Sequence, residues 1–200
     1  MTATSLPTEA QAVLDFWFLP AGAPGHNKPR AEWFRKDAAF DETIRQRFGG
    51  LVDEALADRL QDWPVDADGS LALILLLDQF TRNLCRGSAL AFAGDARALA
   101  LAEQLVGSGR DKNLPPLRRW FVFMPFEHDE SLLNQERSVA LFAALRREAQ
   151  EPAFELAYEY ALRHREIVER FGRFPHRNAA LGREPTAEET AFLALPGSSF

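Results

Sequence analysis

Cysteine occurs once in the chain, at Cys85. A single thiol closes no internal disulfide, and that usage fits a reducing compartment. Long apolar runs are missing as well. The longest, Leu71 to Leu77, falls far short of the roughly 20 residues that span a bilayer, so it reads as a buried helix. The opening stretch, Met1 to Ala10, has no basic segment leading into an apolar one and shows no secretory signal. These features predict a cytoplasmic protein with no membrane partner. Positive charge is in deficit: 23 Lys and Arg face 29 Asp and Glu, a net charge of −6. Without an overall positive field, nucleic acid is not an expected partner. Gly-x-Gly-x-x-Gly, P-loop and Gly-x-Ser-x-Gly patterns are all absent, and with them the phosphate cradles and nucleophile elbow they encode. The cofactor stays unknown on the sequence alone: no spacing matches a compact metal motif, and Glu127, His128 or Glu130 with a distant histidine is the metal set left open.

Strand signals are equally scarce, and what replaces them is helical punctuation. Two hundred residues that are 46% hydrophobic can fill a core, in one domain over 1–200 or in two closely packed halves. Thr8-x-x-Gln11 has the form of a capping box ahead of Val13, Leu14, Trp17 and Phe18. Pro20 to Pro29 reads as a surface loop or lid, with Trp17 and Trp33 on either side. A helix is expected from Asp37 towards Leu56, bent or broken at Gly49-Gly50, since each glycine costs about 1 kcal/mol relative to alanine. Asp68-Gly69-Ser70 is placed to cap a central helix from Leu71 to Leu84. Further helices are expected from Ala91 to Val106, from Pro115-Pro116 up to a stop or kink at Pro125, from Ser131 to Ala149, and from Pro152 to a stop at Gly172. The stripe Gln135, Val139, Phe142, Ala149 marks the inward face of the helix after Ser131. Pro185-Thr186-x-x-Glu189 is a second capping box. No sequence repeat is present. The expectation is an all-α fold of about eight to ten antiparallel helices.

Three segments turn polar where helical spacing points inward. In the first, Gln79, Arg82, Asn83 and Arg86 share one stripe at the end of the central helix. They either form a polar cleft floor or mark a helix end meeting solvent, with Asp78 and Arg82 as an ordinary ion pair. In the second, Glu127 and His128 follow Pro125, with Asp129, Glu130 and Gln135 beyond. Glu127 or Glu130 has the chemistry of a general base and His128 of an acid/base group, although carboxylates ahead of a helix also favour its dipole. In the third, His164 lies on the apolar face of its helix, and Arg173, His176, Arg177 and Asn178 cluster just past Gly172. Guanidinium and imidazole groups so arranged suit a phosphate or carboxylate, or simply the carbonyl end of a helix. The catalytic candidates are therefore Glu127, His128, His164 and His176. Gln79, Arg82, Asn83, Gln135, Arg173, Arg177 and Asn178 are the ligand-binding candidates, for a small anionic molecule. A groove for a protein or peptide partner and a purely structural polar network stand as alternatives. Whether the protein is an enzyme stays open on the sequence alone.

Four runs carry a resemblance: Leu-Leu-Leu-Asp-Gln-Phe-Thr-Arg-Asn at 75–83, Met-Pro-Phe-Glu-His-Asp-Glu at 124–130, Asn-Gln-Glu-Arg-Ser-Val at 134–139, and the stretch from His164 to Asn178. With the opening Val-Leu-Asp-Phe-Trp-Phe and the closing Phe-Leu-Ala-Leu-Pro-Gly, they resemble a bacterial family catalogued as domain of unknown function nine-two-four. The resemblance implies an all-α fold of tetratricopeptide-like architecture and supplies no reaction. Where the family carries proline in its Gln-Phe-Pro-Arg-Asn stretch, this chain has Thr81, which implies a less kinked helix.

Overall fold

The computed structural model describes residues 6–198. Residues 1–5, part of the segment read above for a leader, lie outside the described residues. Within it the fold is all-α, with nine α-helical stretches, short 3-10 turns and no strand among the described residues. No helix among the described residues is long and apolar enough to cross a membrane. The described residues divide into two compact units, one within 1–86 and 90–125 and the other within 87–89 and 126–200.

The first unit is built on aromatic packing. Helix α1 (Thr8–Phe18) buries Val13, Leu14, Trp17 and Phe18. Its expected capping box does not form: Pro7 is the N-cap and no side chain caps the turn, because Thr8 is already helical and its hydroxyl is one position too far along. Trp17 stacks on Trp33 at 5.8 Å and meets Phe121 edge-on at 5.6 Å. The Trp33 indole donates to the Trp17 carbonyl, which closes the loop between them onto the core. In that loop Asn27 accepts from Arg118, whose other arm holds Asp68. Helix α2 (Ala38–Leu56) is capped by Asp37, which accepts from Ala39 and Phe40. It runs unbroken through Gly49 and Gly50, against expectation. Its cap and its buried face of Ile44, Phe48, Val52 and Ala55 outweigh the propensity cost of two glycines.

The central rod consists of α3 (Ala67–Ile74), a π-helical turn (Leu75–Phe80) and a last α turn, α4 (Thr81–Leu84). The cap is Asp66, not Asp68: the Asp66 carboxylate accepts from the Gly69 amide, so residues 68–70 lie inside the first helical turn, which starts at Ala67. A Cβ on Gly69 would sit 1.9 Å from the Trp63 carbonyl oxygen, so a side chain there has no space. Helix α5 (Asp95–Gly107) starts four residues later than the spacing suggested, after a 3-10 turn (Ala89–Phe92). Gly94 sets that start by close approach, since its Cβ would lie 2.3 Å from the Leu77 carbonyl oxygen in the π turn.

Helix α6 (Pro116–His128) does not end at Pro125 but continues one turn further. The second unit takes over from Phe126. Helices α7 (Leu132–Ala149) and α8 (Pro152–Phe171) form an antiparallel hairpin across a tight turn, with Gln150 in the left-handed region. Gly172 terminates α8, also left-handed, with its amide donating to the Val168 carbonyl. Helix α9 (Ala187–Leu193) opens with the predicted capping box between Thr186 and Glu189. Ile167, Val168 and Phe174 form the local core, with Phe171 and Phe192 against it.

Candidate functional site

The candidate residues fall into two sets, one in each unit. In the first unit, the members of the expected stripe diverge. Gln79 donates to the buried Asp78 carboxylate at 2.6 Å and approaches the Met124 sulfur at 3.6 Å. Arg82 forms a two-pronged pair with Asp95, both contacts 3.0 Å, and lies 3.2 Å from Asp78. Asn83 and Arg86 turn the other way and clamp Asp41 of α2. Burial alone would raise the Asp41 pKa, but the Arg86 and Asn83 hydrogen bonds outweigh it and the net shift is downward. Each long polar side chain of this set thus holds a carboxylate of the chain itself. Sequence reasoning missed Asp41 and Asp95, because both partners come from other helices.

In the second unit, the final carbonyls of α6 lack intrahelical partners, as at the end of any helix. Gln135, fully buried on α7, supplies the answer: its amide nitrogen donates to the carbonyls of Glu127 and Asp129 at 2.7 and 2.6 Å. That tether fixes the turn carrying Glu127 and His128. Glu127 is 5% exposed and His164 of α8 is 5% exposed, and Glu127 Oε1 stands 3.1 Å from His164 Nδ1. The same nitrogen lies 2.8 Å from the Tyr160 carbonyl. Two acceptors at Nδ1 require that it carry the proton, which leaves Nε2 as the basic nitrogen. Burial, and after it the charge of His128, holds the His164 pKa well below the ordinary histidine value, with His176 and Arg177 adding to the effect. The ring is therefore neutral at pH 7.

The other members gather around this pair. The His128 ring lies 6.3 Å from that of His164, and Phe174 packs edge-on against His164 at 5.5 Å. His176 sits against the same Phe174 at 5.6 Å, and the Arg177 guanidinium lies over its face at 4.8 Å. Arg177 also donates to the His128 carbonyl at 2.8 Å, so the 3-10 turn Pro175–Arg177 is tied to the end of α6. Three of the chain's four histidines thus share one neighbourhood, with Glu127 as its buried carboxylate. The remaining candidates are framework. Arg173 grips Glu189 through two contacts of 2.6 and 2.8 Å. Arg173 first, then the Thr186 amide, holds the Glu189 pKa down at about 2. Asn178 accepts from Arg183 at 3.0 Å. Glu130 is bound by Arg183 at 2.7 and 3.0 Å and by the Phe174 amide at 2.7 Å. Burial raises its pKa, yet those bonds leave the net shift downward. A carboxylate so engaged is a poor general base. Arg183 and Ser138 went unnoticed in the sequence, Glu189 was read only as a helix cap, and Phe174 drew no role. The inward face of α7 runs through Gln135, Ser138, Phe142 and Leu145, one residue away from the Val139 expected there.

Among the described residues, no group of three or more His, Cys, Asp or Glu side chains is disposed to hold a metal ion. A concavity of about 790 Å³ lies at the α7–α8 turn, lined by Arg146, Arg147, Gln150, Glu151, Pro152 and Glu155. It is open to solvent, sits at the other end of α7 from Gln135 and Ser138, and contains an exposed Arg146–Glu155 pair. Pairs of that kind contribute little, so the buried Glu127–His164 cluster, not the concavity, is the candidate site.

Fold and site together define an all-α protein with a buried carboxylate–imidazole pair inside a histidine- and arginine-rich neighbourhood. The chain belongs to the bacterial family of proteins of unknown function (DUF924), whose model matches residues 13–197. It is similar to the solved structure of a protein of unknown function, ATU0120, from Agrobacterium tumefaciens. The two are 39% identical, with a TM-score of 0.80 over 92% of this chain and 96% of the other. No curated protein matches.

Proposed function

We propose that the second unit binds a small anionic molecule beside Glu127 and His164, and that these two residues form an acid–base pair acting on it. The observation that carries the reading is the buried 3.1 Å contact between Glu127 and a neutral, Nδ1-protonated His164. A carboxylate that fixes the imidazole tautomer leaves Nε2, neutral at pH 7, as the ring's proton acceptor. His128, His176 and Arg177 give the neighbourhood an excess of N–H donors over carboxylates, which favours a carboxylate or phosphate guest. Gln79, Arg82 and Asn83 are left out of this site, since their donors are already engaged with Asp78, Asp95 and Asp41. Gln135 and Arg173 serve as scaffold on the same ground, and Asn178 does so by accepting from Arg183.

The test is a thermal-shift and calorimetric screen of the full chain with inorganic phosphate and a panel of phosphorylated and carboxylated metabolites. At least one member is expected to raise the unfolding midpoint. His176→Ala should then weaken its binding about tenfold, which corresponds to about 1.4 kcal/mol. Glu127→Gln should retain binding but abolish any turnover. If no anion stabilises the wild type, or if His176→Ala binds as the wild type does, the reading is wrong. A structural role for the whole cluster is favoured instead if both variants lose stability and neither alters a ligand response.

A further inference from the structure

Gln135 and Ser138 are both fully buried, one turn apart on the inward face of α7. Neither Gln135 Oε1 nor Ser138 Oγ has a hydrogen-bond partner in the chain. Turning the Gln135 amide over is no remedy, because its nitrogen donates to two carbonyls at 2.7 and 2.6 Å and a flip would set oxygen against oxygen. Ser138 also forgoes the carbonyl one turn back, the partner that Thr43 and Thr190 both use in their helices. Two buried polar atoms one helical turn apart are rarely both left unmet in a folded protein. Their position is specific too. Arg146 pairs with Glu155 and stacks on Tyr158 across the hairpin, and the antiparallel register set there brings Ser138 roughly level with His164. Gln135 bonds the backbone of Glu127 itself.

We infer that a single hydroxyl group, of a trapped water or of a ligand alcohol, bridges Gln135 Oε1 and Ser138 Oγ next to the Glu127–His164 pair. Hydrogen-bond polarity selects this chemistry. Gln135 Oε1 can only accept, so the guest must donate, which excludes a bare carbonyl, carboxylate or phosphate oxygen. Ser138 can donate back to the guest oxygen. One O–H group meets both demands. Residues at this helical spacing share one face with Cβ atoms about 5–6 Å apart, which lets one guest oxygen come within reach of both side chains, at about 2.8 Å for a hydroxyl hydrogen bond. The inference does not depend on the anion-binding reading, since it rests on different atoms.

A crystal structure of the full chain as purified, at a resolution that defines ordered water, tests it, together with the same structure of Ser138→Ala. The wild type is expected to show a peak within hydrogen-bond distance of both atoms. An isolated peak identifies a water, and a peak continuous with further density identifies a ligand hydroxyl. In Ser138→Ala, which removes the donor and keeps the space, the peak should be lost or displaced. The inference is overturned if the wild type has no peak and Ser138 instead bonds the Asn134 carbonyl. It is equally overturned if the peak is undisturbed in Ser138→Ala, because the serine then plays no part in holding the guest.

Discussion

At the residue scale, close approach decides more than side-chain chemistry does. Gly94 packs on the backbone carbonyl of Leu77, which already accepts the Thr81 hydroxyl at 2.8 Å. Neither group can retreat easily: one belongs to the π turn and the other to the start of α5. Gly94→Ala should therefore lower the unfolding free energy by about 1–3 kcal/mol, the usual cost of forcing extra volume into a packed site. Urea titration checks it, and an unchanged midpoint would show that the α5 start shifts freely.

At the scale of elements, local chemistry was legible and long-range pairing was not. Asp37, the Thr186–Glu189 box and the stop at Gly172 were readable because cap and helix end lie within one turn of each other. Asp68 was mistaken for Asp66 because two acidic residues stand two apart and only the packing of Gly69 against Trp63 chooses between them. Pro125 does not stop α6, and the end of that helix is capped by Gln135 on the next one, to which no local rule points. The Glu127–His164 contact is of the same kind: the sequence offered both residues as candidates but not their union. Gly49 and Gly50 show propensity overridden by packing. An added Cβ at either position meets nothing within 4 Å. Gly50→Ala should thus stabilise the protein by up to about 1 kcal/mol, measured as a higher urea midpoint at unchanged slope. A loss of stability would mean that α2 needs a flexible point there.

At the scale of the whole molecule, His164 ties folding to pH. Its folded pKa lies below the ordinary value of 6.5 that it regains on unfolding. The unfolded chain therefore binds the proton more readily. The contribution of the neutral ring is complete above about pH 6.5 and is lost as pH falls through the folded pKa. For one proton the slope cannot exceed about 1.4 kcal/mol per pH unit. Unfolding free energy measured from pH 7.5 downward should fall below pH 6.5, and His164→Gln should flatten that fall. A wild-type curve with no loss below pH 6.5 would contradict the buried, neutral assignment.

How that curve is recorded matters, because the aromatic residues are divided unevenly. Trp17, Trp33, Trp63 and Trp120 all belong to the first unit, whereas Tyr158 and Tyr160, the chain's two tyrosines, belong to the second. Indole emission therefore reports on the unit without the histidine cluster. The unit that holds Glu127 and His164 must be followed through tyrosine or through helical circular dichroism. A difference between the two signals on acidification would separate the units spectroscopically, with no engineered label.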